Sequence, residues 1–130
     1  MPSKLVSLTL SVVAVLVFTS CGGATSPYGG GGGGGGGGGC TPTTTKVCMN
    51  ALSFGPSTLT ITAGTTVTWQ NGSVATHTVT SDAGSSLTYD SGNVGPGGTF
   101  SQTFNTAGTY NYHCTFHVAN GMTGTITVQP

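Results

Sequence analysis

From Val47 onward, apolar and polar residues alternate in short runs. Leu59 and Ile61 are separated by threonines, Val67 and Trp69 alternate with Thr66 and Thr68, and His77 and Val79 alternate with Thr78 and Thr80. Phe100 and Phe104 share a face, as do Tyr110, Tyr112 and Cys114, and Ile126 and Val128 close the pattern. A period of two is that of a strand with one face buried. Threonine is β-branched and suits the solvent face. Ala63-Gly64, Asn71-Gly72, Gly95 to Gly98 and Ala107-Gly108 punctuate the runs as turns. No segment keeps helical spacing across a window of about eleven residues. About seven strands so spaced predict an all-β domain, a two-sheet sandwich with Greek-key connections. Gln102 sits between Phe100 and Phe104, where an apolar residue would pack better; a strand end or a bulge is expected there.

Ahead of that pattern the chain reads differently. Lys4 precedes an apolar run from Leu5 to Phe18, the order of an export signal and too short to span a bilayer comfortably. Residues 1–20 are therefore expected to be a signal peptide. Phe18-Thr19-Ser20-Cys21 resembles a bacterial lipoprotein cleavage site, with Phe18 standing where leucine is usual. That resemblance implies a lipid on Cys21 and a membrane tether in the cell envelope, facing the periplasm or the outside. Ordinary secretion with an incidental cysteine, or a retained anchor, are the alternatives. Residues 29–39 are eleven consecutive glycines, which have nothing to bury and lose the most freedom on ordering. Residues 21–45 are expected to be a flexible linker, about 25 Å from Gly22 to Gly39 on average. That leaves 46–130 for one small domain of marginal size.

Charge is nearly missing. Lys4, Lys46, Asp82 and Asp90 are the only formal charges among 130 residues. Such a surface has no basic patch for nucleic acid and little means of steering a partner from a distance. Docking is expected to rely on apolar shape and hydrogen bonds, and a monomer is expected.

The chemistry concentrates in Tyr112-His113-Cys114-Thr115-Phe116-His117-Val118-Ala119-Asn120-Gly121-Met122. A thiol is followed three positions later by an imidazole and five positions after that by a thioether. Two histidines, one cysteine and a weak axial methionine form the blue-copper donor set. His77, expected to begin a strand after the Asn71-Gly72 turn, is the best candidate for the second imidazole. Alternation points Cys114 inward and His113 outward. One loop between two strands thus presents Cys114, His117 and Met122, and a neighbouring strand brings His77 to the same end. Each residue alone could be core filler or a surface group. Zinc is disfavoured because methionine is a poor ligand for it.

Taken with Gly64-Thr65-Thr66-Val67-Thr68-Trp69-Gln70-Asn71, His77-Thr78-Val79 and Gly108-Thr109-Tyr110, the loop resembles that of plastocyanin and related small cupredoxins over residues 47–130. The resemblance implies one copper on His77, Cys114, His117 and Met122. It implies electron exchange with redox protein partners through the His117 ring edge, with Phe116, His117, Val118 and Ala119 as the docking patch. Three positions depart from the pattern. Thr78 stands where the family commonly has an asparagine tying the two ligand loops together, Phe116 where proline is common, and His113 where tyrosine is common.

The expected function is therefore one-electron transfer without substrate turnover. Copper holding or delivery with the same ligands is the alternative, and a metal-free adhesive β domain a weaker one. Cys40 and Cys48 have no place in the copper site, and in an exported protein two spare cysteines favour a disulfide.

Overall fold

The computed structural model describes residues 39–130. The expected signal segment, Cys21 and most of the glycine run lie outside the described residues. Eight strands follow one another: β1 (Lys46–Met49), β2 (Phe54–Gly55), β3 (Thr58–Thr62), β4 (Thr65–Asn71), β5 (Thr80–Ser81), β6 (Thr99–Phe104), β7 (Gly108–His113) and β8 (Thr123–Gln129). A single 3-10 turn, Val118–Asn120, is the one helical element among the described residues.

The strands form two four-stranded sheets, ordered β2-β1-β4-β6 and β3-β8-β7-β5. Both are mixed: β1 runs parallel to β4, and β3 parallel to β8. The chain changes sheet between β2 and β3 and at every step from there to β7, giving the expected Greek-key sandwich.

The alternation read from the sequence is the burial pattern of the strands. Leu59 and Ile61 of β3, Val67 and Trp69 of β4, and Ile126 and Val128 of β8 all turn inward. Trp69 stands at the centre, 5.3 Å from Tyr112 edge-on and 5.8 Å from Phe100. Phe54 meets the Tyr112 ring at 4.7 Å. Aromatic pairs of this kind add about 0.5–1.5 kcal/mol each beyond the area they bury. Tyr112 also needs space beneath it, which Gly124 of β8 provides. A Cβ on Gly124 would lie 2.8 Å from Tyr112 Cε1 and closer still to its Cζ and hydroxyl oxygen.

Two expectations about local structure are corrected. His77 does not begin a strand. It exchanges both main-chain hydrogen bonds with Val94 as an isolated bridge, and regular pairing resumes only at Thr80. Gln102 marks neither a strand end nor a bulge, because β6 pairs with β4 without interruption from Phe104 to Thr99. β6 is an outer strand, so its inner face is only partly covered. Gln102 is half-buried there, and its amide nitrogen donates to Thr103 O at 2.9 Å.

Ordered contacts also begin before residue 46. Thr43 bridges to Lys46, and Thr68 N–H donates to Thr45 O at 3.0 Å. Cys40 and Cys48 are joined by a disulfide with Cα atoms 5.7 Å apart. The segment from Cys40 is thereby fastened to β1.

Candidate metal centre

β7 ends at His113, and Cys114 follows with its side chain fully buried. The loop from Cys114 to Met122 closes on its own main chain. Cys114 N–H donates to Met122 O at 3.0 Å, and His117 N–H returns to Cys114 O at 3.1 Å. Met122 N–H in turn donates to His117 O at 3.2 Å. The 3-10 turn ends at Gly121 (φ 82°), a left-handed residue that lets the chain re-enter the sheet as β8. Met122 is fully buried where that strand begins.

His77 arrives from the facing loop. The His77–Val94 bridge fixes its backbone, and its ring is buried. Its Nδ1 lies 3.6 Å from Cys114 Sγ, and His117 Nδ1 lies 3.4 Å from the same sulfur. The three donor atoms fall within 4.8 Å of one another, and the two imidazole rings are 4.9 Å apart. Burial, and then the neighbouring His117, hold the His77 imidazole below its ordinary value. It is therefore neutral near pH 7, which is the ligand form. Thr78 N–H donates to Cys114 Sγ at 3.4 Å, which fixes the sulfur against the His77 segment.

The donor set fits copper. It joins a thiolate, two imidazoles and a buried thioether, and lacks the carboxylates a hard cation requires. His77, Cys114, His117 and Met122 form a type 1 copper-like site able to hold one ion. His117 differs from His77 in being only partly buried. Phe116 (54% exposed) and Val118 (47% exposed) flank it, and Ala119 is exposed too. His113 points away from the centre, its Nδ1 2.6 Å from Asp82 Oδ1.

The departure at Thr78 has a structural resolution. The Thr78 hydroxyl accepts Thr115 N–H at 2.9 Å and lies 3.1 Å from Thr115 Oγ1. Threonine thus ties the His77 segment to the Cys114 loop, the task given to asparagine in the family pattern. Sequence reasoning also missed Asn71 and Ser73. Asn71 is buried, and its Oδ1 accepts Ser73 N–H at 2.9 Å. Asn-Gly-Ser at the end of a strand is the signal for such an Asx turn.

A family model described as copper binding proteins, plastocyanin/azurin family, matches residues 42–129. The chain is 42% identical over 87 residues to the plastocyanin of Scenedesmus fuscus, an overlap of 61% of this chain and 89% of that protein. It is 39% identical over 82 residues to the halocyanin of Natronomonas pharaonis, covering 62% of this chain and 50% of that one. Among solved structures, a purple cupredoxin from Nitrosopumilus maritimus is similar with TM-score 0.58 and 29% identity, covering 65% of this chain and 99% of that one. Amicyanin from Paracoccus versutus gives TM-score 0.59 and 31% identity, covering 65% and 80%.

Proposed function

Because the chain belongs to the plastocyanin/azurin family of copper-binding proteins, we propose that it carries single electrons between protein partners on a copper held by His77, Cys114, His117 and Met122. The observation that carries this reading is the convergence of His77 Nδ1, Cys114 Sγ and His117 Nδ1 within 4.8 Å inside a stiff sandwich. Copper bound there supplies a one-electron couple between Cu(I) and Cu(II).

The chain's own residues do the rest. Cys114 contributes the sulfur, held in place by the Thr78 N–H. His77 is kept neutral by burial, so it competes little for a proton. The hydrogen-bonded loop and the Thr78–Thr115 tie hold the donors still, which keeps reorganisation small on electron transfer. His117 is the exit, and the exposed Phe116, Val118 and Ala119 form the uncharged face that meets a partner. Four protein donors occupy the centre, so the reading is of a carrier and not of an enzyme.

We place the domain outside the cytoplasm, on a lipid at Cys21. The Cys40–Cys48 disulfide supports an oxidising compartment. The test is the visible absorption spectrum of the purified protein with Cu(II), beside Cys114→Ser. An intense visible band from the copper–thiolate pair is expected only with the thiol present. A Cys114→Ser protein that kept it would refute the ligand set. Fast electron self-exchange with slow copper release supports the carrier; ready transfer of copper to an acceptor supports delivery.

A further inference from the structure

One ring atom of His77 faces away from the metal centre. Its Nε2 lies 2.8 Å from Ser73 Oγ. That hydroxyl has three other polar neighbours: Asn71 Oδ1 at 2.9 Å, Ala75 O at 3.3 Å and Ala75 N at 3.2 Å. A hydroxyl has one hydrogen and two lone pairs, so the arrangement can be counted.

The Asn71 amide is oriented beyond choice. Its nitrogen donates to Ala75 O at 2.7 Å and to Val94 O at 2.9 Å. A flipped amide would set its oxygen against both carbonyls and its NH2 against Ser73 N–H. Asn71 Oδ1 therefore faces Ser73, and as an acceptor it takes the Ser73 hydroxyl hydrogen. The serine lone pairs remain for Ala75 N–H and for His77. His77 must then present Nε2–H to Ser73, which leaves the Nδ1 lone pair facing Cys114 Sγ. In the other tautomer a proton would stand between Nδ1 and the sulfur, and Asn71 Oδ1 would lose the hydroxyl to His77.

We propose that Ser73 is a positioning residue: held by Asn71, it fixes His77 in the Nε2–H tautomer, so that Nδ1 is ready for a metal before any metal arrives. The consequence for copper rests on the proposed function; the tautomer itself does not. Partners that orient a ligating imidazole are worth about 10–100-fold in metal affinity.

The test begins with the metal-free protein. Long-range proton–nitrogen correlation spectra at a fixed pH of about 8, above the ordinary histidine range, report the tautomer of each ring. The chain has three histidines, so assignment is tractable. Wild type is expected to show His77 as Nε2–H. Ser73→Ala is expected to show a mixture with Nδ1–H and Ser73→Thr to restore the wild-type pattern. In a competition titration Ser73→Ala should bind copper about 10–100-fold more weakly, with Ser73→Thr close to wild type.

Wild-type His77 found as Nδ1–H or as an even mixture overturns the proposal, and needs no variant to fold. So does Ser73→Ala that keeps a pure Nε2–H ring. If the tautomers behave as stated but no variant, wild type included, takes up copper, the proposed function fails while the positioning role stands.

Discussion

Replacing Thr78 by valine tests whether one hydroxyl joins the two ligand loops. Thr78 is 4% exposed, and its Oγ1 is saturated. It accepts Thr115 N–H at 2.9 Å and Thr80 Oγ1–H at 3.1 Å, and its own hydrogen reaches Thr115 Oγ1 at 3.1 Å. Valine keeps the shape and the β-branch and removes all three bonds. The hydroxyls of Thr115 and Thr80 are open enough to turn to water, so they add little. The Thr115 amide is partly buried and loses its acceptor. Leaving such a donor unpaired costs about 1–3 kcal/mol. At about 4–8 °C per kcal/mol for a domain of this size, the melting temperature should fall by roughly 5–20 °C.

The assay is thermal or urea unfolding of the metal-free protein with its disulfide intact, with two controls. Thr78→Ser keeps the oxygen and should lose less than valine does. Thr66→Val breaks the 2.7 Å contact to Thr103 Oγ1 on the exposed face and should stay within about 0.5 kcal/mol of wild type. The reasoning is wrong if Thr78→Val unfolds within that same margin, or if serine is as damaging as valine.

Gly124→Ala should destabilise by at least about 1–3 kcal/mol, because the new Cβ meets a Tyr112 ring already packed by Trp69 and Phe54; urea unfolding at wild-type stability would show that the ring has room to move. The His77 value is lowered in the fold, so the unfolded chain takes up that proton first. Stability of the metal-free protein is thus complete above about pH 6.5 and falls below it, by up to about 1.4 kcal/mol per pH unit, until the lower folded value is passed. Denaturant midpoints that stayed flat between pH 7 and 5 would contradict this. Replacing Cys40 and Cys48 by alanine opens a loop of sequence separation 8 and should cost about 2.5 kcal/mol by loop-closure entropy; a melting temperature unchanged within about 3 °C would mean that the native contacts of Thr43–Lys46 already hold the segment.

The sandwich was legible because a strand with one buried face writes itself as alternation, and β3, β4 and β8 do so cleanly. The Cys114–Met122 loop was legible because three donors lie within nine positions of one another. The supports of the site were not. Thr78 and Thr115 are 37 positions apart, and nothing in a period of two announces a side chain bonded to a distant amide. The Ser73–His77 contact is short in sequence, but it depends on how the buried Asn71 amide is turned, which is set by Val94 O from another loop. Gln102 misled for a related reason. Periodicity tells inward from outward, and it does not tell a central strand from an edge where inward is only half-covered.

The shortage of charge leads to a last expectation about association. Among the described residues the formal charges are Lys46, Asp82 and Asp90, and Asp82 already lies beside His113. The exposed large hydrophobics are Leu52, Val74, Phe116 and Val118. Phe116 and Val118 flank His117, and Val74 sits on the loop that leads to His77. Leu52 follows Met49, which pairs with Asn71 at the start of that same loop. The residues that flank His117, the proposed exit, therefore carry no charge. Encounter between two copies gains nothing from long-range attraction and loses little to repulsion, so screening has little to act on. Electron self-exchange, followed by NMR line broadening in mixtures of oxidised and reduced protein, should change by less than about threefold between low and physiological salt. Phe116→Lys should slow it and make it rise with salt, because it places like charges face to face at the exit. A steep salt dependence in wild type, or an exchange rate indifferent to Phe116→Lys, would mean that electrons leave by another face.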